Sequence, residues 1–237
     1  MFLTPTEAIS RIEADRALVN RRFEQLRSVA QDLIELGIPE EEFLKQKPLQ
    51  HRKETKKTVR YELTSETTGG KWVEECANYV KMLKSFRNGK RKPSEETVNS
   101  ITAELIIDFC FTSSMTPSET LGVIDEDKAD TNKKLDELKH VCVVLKKYGV
   151  TDSDYRRAFA QYTLYSDRIK NMVDFTFCKE LTEALDLAHY VEDSGFRPYR
   201  SWWDRLFRNE QMDSTLKATL NRILELYVII TNKSKYL

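Results

Sequence analysis

The chain has 237 residues, of which 40% are hydrophobic and 32% are charged, and it contains only 7 glycines and 6 prolines. This composition is typical of a helix-rich globular protein with a buried core. Lys and Arg number 38, as do Asp and Glu, so no net charge favours nucleic acid, a membrane surface or an acidic substrate. No apolar run has the length of about 18 residues that a membrane span needs, and the N-terminal stretch lacks the pattern of a secretory signal.

The four cysteines lie far apart in the chain, at positions 76, 110, 142 and 178, and none belongs to a C-x-x-C pair. Dispersed cysteines of this kind are typical of small buried side chains in a reducing compartment. We therefore expect a cytoplasmic protein that does not bind a membrane.

The chain begins with a strong helix start. Thr4 is predicted to be the N-cap, Pro5 the first helical residue, and Glu7 the residue that closes a capping box. The stretch 116–119, TPSE, repeats this chemistry 112 positions later.

The similarity extends well beyond the helix starts. Residues 4–43 align without gaps to residues 116–155 with 11 identities, and gapped matches continue through the rest of each copy. We predict a tandem duplication of a unit of about 115 residues, with copy one at 1–115 and copy two at 116–237. A pseudo-twofold is expected between 4–43 and 116–155. Two separate domains and one fused core are both compatible with this pattern.

Each copy opens with a long helix that has a coiled-coil-like pattern of apolar residues at three- and four-residue spacing. The predicted seam of copy one contains Ile9, Ile12, Arg16, Val19, Phe23, Leu26, Ala30 and Leu33. That of copy two contains Leu121, Ile124, Lys128, Thr131, Leu135, Leu138, Cys142 and Leu145. Gly37 and Gly149 are predicted to end these helices in the left-handed conformation. The long helices either pair with each other, which we favour, or pack each within its own copy.

The remainder of each copy is predicted to be mainly helical, which gives a mainly α fold class. Alternation with period 2 at 59–64 and at 173–178 indicates a minor strand in each copy. Further helices are predicted from about Lys71 to Asn88, after Ser94, from Thr151, from Phe177 to Glu192 and from Asp213 onward.

Charge is segregated along the chain. Residues 45–92 contain 14 Lys and Arg against 5 acids, whereas residues 94–137 contain 3 against 11. Two dense basic stretches, 45–60 and 81–92, suit contacts with phosphates. A solvated loop and a basic helix C-terminus explain the same residues without any ligand. The residues predicted to bind nucleic acid or a partner are Arg52, Lys53, Lys56, Lys57, Arg87, Lys90, Arg91 and Lys92.

Copy two has a different unusual stretch, in which arginines alternate with aromatic residues between positions 196 and 209. Such a stretch suits stacking on bases or a protein interface, although the aromatic residues equally suit a core. The residues predicted to bind here are Arg197, Arg200, Trp202 and Arg205. Because Phe-Arg-Asn ends a predicted helix in both copies, Arg87 and Arg208 also have a structural interpretation, in which they bind terminal carbonyl groups.

No catalytic motif is recognisable in the sequence. Glu137-x-x-His140 and Asp186-x-x-His189 are similar to the Glu-x-x-His pairs of di-iron helical bundles. However, a helical wheel centred on the apolar seam directs His140 outward, and the aligned positions of copy one contain no histidine. We therefore predict no metal, no cofactor and no small-molecule substrate.

These observations predict a non-catalytic binding protein (an adaptor, inhibitor or assembly factor) that acts through macromolecular contacts of a duplicated helical scaffold. Its partner is expected to be another protein or a second copy of the chain. The alternative is a nucleic-acid-binding protein that contacts phosphates through 45–60 and 81–92. A third interpretation is an enzyme whose active site lies between the copies, but no set of residues in the sequence supports it.

Overall fold

The structure is a computed structural model that describes residues 4–46, 68–89, 92–113, 115–169, 177–198 and 212–233. The described residues are mainly helical, which confirms the predicted fold class, and none of them lies in a strand. In chain order the helices are α1 (Pro5–Glu35), α2 (Glu40–Leu44), α3 (Thr68–Arg87), α4 (Glu95–Ser113), α5 (Pro117–Lys147), α6 (Asp152–Ile169), α7 (Phe177–Asp193) and α8 (Ser214–Lys233). Within these ranges, no helix combines the length and the apolarity that crossing a bilayer requires.

The two strand predictions have different outcomes. The segment 59–64 lies outside the described residues, and so does most of 173–178. The last two residues of the second segment, 177–178, begin α7, so that part of the prediction is wrong. The buried residues Leu181, Ala184 and Ala188 follow the helical period. This longer pattern, and not the short alternation, determines the structure of residues 177–178.

Both long helices begin with the predicted capping boxes. The Thr4 amide donates a hydrogen bond to the Glu7 carboxylate at 2.8 Å, and the Glu7 amide donates to Thr4 Oγ1 at 3.3 Å. Thr116 and Glu119 make the same reciprocal pair, at 3.1 and 3.4 Å. The bonds satisfy amides that have no partner within the helix, and those at Thr4 hold the pKa of Glu7 below its ordinary value.

Both long helices also end as predicted, at glycines with positive φ. The φ angle is +68° at Gly37 and +90° at Gly149. After Gly37, the Ile38 amide donates to the Leu33 carbonyl at 3.4 Å, and the equivalent bond after Gly149 measures 2.9 Å. This is the Schellman arrangement, which satisfies the last carbonyls of a helix.

Three further helix starts follow the predicted capping chemistry. Ser94, Thr151 and Asp213 each accept a side-chain hydrogen bond from the amide three residues further on, at 3.2, 3.2 and 2.7 Å. Side chains of this kind stabilise a helix start by about 1 kcal/mol each. The local chemistry of the sequence thus accounts for where α4, α6 and α8 begin.

The chain folds into two compact units. Unit I comprises Asp15–Thr131, and unit II comprises Met1–Ala14 together with Asn132–Leu237. The division falls within α1 and within α5, so each of these helices supplies residues to both units. The predicted copies, 1–115 and 116–237, are defined by sequence similarity and not by compactness, and they stay a prediction.

Unit I has its core between α1, α3, α4 and the first part of α5. α4 packs against both α2 and α3. Phe43 of α2 and Phe109 of α4 are completely buried, and their rings meet edge to face with centroids 5.6 Å apart. The seam residues buried in this core are Val19, Phe23, Leu26, Ala30, Leu33 and Ile124. Each large apolar side chain among them contributes roughly 1.5–3 kcal/mol through burial.

Unit II has its core between α6, α7, α8 and the last part of α5. α8 packs against both α6 and α7. Tyr155 of α6 and Tyr227 of α8 are completely buried, and their centroids lie 5.6 Å apart at an interplanar angle of 60°. The seam residues Cys142 and Leu145 belong to this core, and Ala8 of α1 joins them.

The segments of α1 and α5 that belong to unit I run antiparallel. Lys128 Nζ lies 2.6 Å from Glu24 Oε1, and Arg27 pairs with Asp125. The residue number on α5 decreases from 128 to 125 as the number of its partner on α1 increases from 24 to 27, so the two segments run in opposite directions. Because exposed ion pairs of this kind contribute no more than about 1 kcal/mol, the buried seam supplies most of the stability.

Candidate functional site

Two histidines and a glutamate of unit II meet between α5 and α7. His140 comes from α5, and His189 and Glu192 come from α7, where a spacing of three residues places them on one face. One potential ligand atom from each side chain lies within 4.8 Å of the other two. The chain contains 3 histidines, so two of them meet in this cluster, which we call the His–Glu cluster.

Glu192 is the central residue of the His–Glu cluster. Its Oε2 lies 3.1 Å from His140 Nε2, and its Oε1 lies 3.0 Å from Lys147 Nζ. The hydrogen bond from Lys147 is the main cause that holds the pKa of Glu192 below its usual value, and the same bond raises the pKa of Lys147. The imidazole rings of His140 and His189 lie side by side, with centroids 5.1 Å apart and planes tilted by 33°.

His140 is less exposed than the helical wheel predicts. Its side chain is 35% exposed, because α7 covers one side of it. Its Nε2 atom is buried, and it makes no well-aligned hydrogen bond to the described part of the chain. Two imidazoles and a carboxylate in this arrangement have the donor atoms that bind divalent transition metals.

The acids that the sequence pairs with these histidines are not the ones that meet them. Glu137 lies 3.8 Å from Lys133 in an ion pair along α5, and Asp186 is exposed on α7. Glu192 takes their place. The sequence contains a signal for it, since His189-x-x-Glu192 places both side chains on one helix face, but only the packing of α5 on α7 adds His140.

Unit I has a groove of about 350 Å³ between α1 and α3, lined by Asp32, Val80 and Lys84 among others. Lys84 Nζ lies 2.5 Å from Asp32 Oδ1 and 3.2 Å from Glu35 Oε2. These hydrogen bonds raise the pKa of Lys84, and the bond to Asp32 contributes most. The groove has mixed charge, and no histidine lines it.

Arg87, one of the predicted binding residues, makes a structural contact. Its guanidinium donates hydrogen bonds to the carbonyls of Glu35, at 3.3 Å, and of Leu36, at the end of α1. This agrees with the interpretation that the arginine binds terminal carbonyls, although they belong to α1 and not to its own helix. A role of Arg87 in binding nucleic acid or a partner stays a prediction.

Two other predicted binding residues lie within the described ranges. Lys92 and Arg197 are both exposed, and neither belongs to the His–Glu cluster. The remaining ones lie outside the described residues: Arg52, Lys53, Lys56, Lys57, Lys90, Arg91, Arg200, Trp202 and Arg205. Their predicted role in binding stays a prediction.

Comparison with known proteins identifies no relative: no protein-family model matches the chain, and neither a curated protein nor a solved structure matches it significantly. The fold and the site define a mainly α protein with two compact units, one of which contains the His–Glu cluster. A function for it must be argued from its own residues.

Proposed function

We propose that this chain is a non-catalytic binding protein whose duplicated helical scaffold presents two different charged surfaces to macromolecular partners. The observation that carries this proposal is that aligned residues make the same contacts in both units, while the aligned residues Glu35 and Lys147, at the ends of the long helices, have opposite charges.

The strongest interior correspondence is aromatic. The sequence alignment pairs Phe43 with Tyr155, and the gapped alignment pairs Phe109 with Tyr227. Each unit contains one of the two resulting pairs, and in both the ring centroids lie 5.6 Å apart with the rings edge to face. Edge-to-face packing at aligned positions supports a common origin of the two units.

An ion pair between α1 and α5 shows the same correspondence. In unit I, Arg27 of α1 pairs with Asp125 of α5, and in unit II, Lys139 of α5 lies 2.6 Å from Glu13 of α1. The offset of 112 aligns Arg27 with Lys139 and Glu13 with Asp125. These pairs support the tandem duplication and the pseudo-twofold between 4–43 and 116–155, which we include in the proposal.

The surfaces differ where the long helices end. Glu35 of α1 aligns with Lys147 of α5, so an acid in copy one corresponds to a base in copy two. Glu35 accepts a hydrogen bond from Lys84 of α3, whereas Lys147 donates one to Glu192 of α7. A scaffold that carries opposite charges at aligned positions favours different partners on its two copies.

We propose a protein partner in the cytoplasm, and first of all a second copy of this chain, with the basic segment 45–92 of one copy against the acidic segment 94–137 of another. The described cysteines, Cys76, Cys110 and Cys142, are buried and form no disulfide with one another, which suits a reducing compartment.

Sedimentation velocity over a concentration series tests self-association. A mass that rises with concentration at low salt and returns to the monomer at high salt is expected, whereas a monomer at every salt concentration would contradict self-association.

Nucleic acid is the second candidate, favoured by the net charge of +9 over residues 45–92. Labelled single- and double-stranded DNA and RNA should then bind with an affinity that falls linearly in log salt. A variant with Lys90→Ala, Arg91→Ala and Lys92→Ala should lower that slope by roughly 2–3, whereas a matched variant of three exposed lysines, Lys133→Ala, Lys146→Ala and Lys217→Ala, should not. Equal slopes for both variants would exclude specific phosphate contacts at 90–92.

A further inference from the structure

We propose that His140, His189 and Glu192 bind one divalent transition-metal ion, for which Zn²⁺ is the best match. Two imidazole nitrogens and one carboxylate oxygen are a ligand set that zinc accepts, and they leave its fourth tetrahedral position to water or another ligand. Oxygen-preferring ions such as Mg²⁺ and Ca²⁺ are disfavoured, because two of the three donors are nitrogen. This proposal does not depend on the proposed function, although Lys147, one of the surface charges named there, contacts Glu192 of the site.

The distances fit a chelate after a small movement of one side chain. Two ligands bound to the same tetrahedral zinc ion at 2.0–2.1 Å lie about 3.3 Å apart. His140 Nε2 and Glu192 Oε2 are already 3.1 Å apart. The donors of the whole cluster lie within 4.8 Å of one another, so the exposed His189 needs to move by about 1.5 Å or less, which a rotation of its side chain supplies.

The surroundings of the His–Glu cluster also suit a metal ion. His140 Nε2 is buried and lies 3.1 Å from Glu192 Oε2, so a metal ion bound between these two atoms takes the place of that contact. Lys147 holds Oε1 of Glu192 at 3.0 Å and leaves Oε2 directed toward His140. This contact orients the carboxylate for binding through one oxygen, while the nearby ammonium charge keeps the affinity moderate.

The other copy provides an internal control. The positions that align with His140, His189 and Glu192 are Ser28, Asn78 and Lys81, and a lysine has no place in a zinc site. We therefore expect one ion per chain. Bound at this place, the ion links α5 to α7, and it should raise the melting temperature of the protein because it binds only the folded arrangement.

Isothermal titration of the full chain with ZnCl₂ tests the proposal. We expect one Zn²⁺ per chain, and a loss of affinity of at least about tenfold in His189→Ala and in Glu192→Gln. The first changes an exposed side chain and the second keeps the shape of the residue, so both variants should fold, which circular dichroism checks. His51→Ala, which removes the third histidine of the chain, is the matched control and should bind as the wild type does.

Titration with Co²⁺ identifies the donor atoms. Visible absorption of tetrahedral Co²⁺ without a sulfur charge-transfer band supports ligation by nitrogen and oxygen, whereas such a band would assign the metal to cysteines and overturn the site. The proposal is also overturned if the wild type binds no Zn²⁺, or if His189→Ala and Glu192→Gln bind it as tightly as His51→Ala does.

Discussion

Asp108 on α4 shows how the surroundings of a single side chain change its chemistry. It is half-buried, and loss of hydration, followed by the charges of Glu75 and Glu104, raises its pKa to about 6. An aspartate in an unfolded chain titrates near pH 4. Between about pH 4 and pH 6, Asp108 is therefore protonated in the folded state and largely ionised in the unfolded state. This proton stabilises the folded state at low pH, and the stabilisation is lost as the pH rises through 6.

Asp108→Asn should remove this dependence. At pH 7 the free energy of unfolding is expected to rise by about 1–2 kcal/mol, because the amide has no charge to desolvate, whereas near pH 4 it should hardly change. Urea unfolding from pH 4 to pH 7 measures the difference. Asp186→Asn, at an exposed position on α7, is the control and should show no such trend. An equal gain at both pH values would mean that ionisation of Asp108 is not the cause.

At the scale of the helix, two glycines with opposite roles allow a matched test. Gly37 follows α1 at φ +68°, and Gly122 lies inside α5, while a Cβ atom at either position would meet nothing within 4 Å. Gly37→Ala should therefore lower the free energy of unfolding by about 1 kcal/mol through backbone strain alone. Gly122→Ala should raise it by about 0.5–1 kcal/mol, because alanine is the better helix former.

Thermal and urea unfolding of both glycine variants measure these changes in the free energy of unfolding. Because an added Cβ atom meets nothing within 4 Å at either position, packing does not contribute to them. Gly37→Asn adds a further comparison, since asparagine tolerates the left-handed conformation better than alanine and should restore part of the loss. Stability changes of the same sign for Gly37→Ala and Gly122→Ala would contradict the assignment of Gly37 as the residue that ends α1.

The helices also show where prediction from sequence succeeds and where it fails. The capping boxes at Thr4 and Thr116 and the glycine ends at Gly37 and Gly149 are correct, because each depends on hydrogen bonds within about one turn of the chain. The strand expected over 173–178 is wrong at its end, since a short alternating pattern competes there with a longer helical one.

At the scale of the whole molecule, we expect the local stability of each unit to depend on its own core. Leu33 belongs to the core of unit I and Leu145 to that of unit II, and both are completely buried. Truncation to alanine at either position should cost about 2–5 kcal/mol, whereas Leu44→Ala, at a position that is 46% exposed, should cost much less.

Hydrogen exchange shows where each loss of stability acts. Leu33→Ala should lower the protection of amides in unit I first, and Leu145→Ala that of amides in unit II, because the cores are separate clusters of buried residues. A uniform loss of protection along the whole chain in both variants would show that the units open together.

The mainly α fold class is predictable from the amino-acid sequence, as are most helix ends and most of the residues that the long helices bury, because helix capping and the 3.6-residue period act between near neighbours in the chain. Three features follow only from the packing of the helices: α1 and α5 each contribute to both units, Arg87 of α3 binds carbonyls at the end of α1, and His140 meets His189 and Glu192. These contacts join side chains about 50 or more positions apart, so they depend on how the helices pack and not on any local pattern.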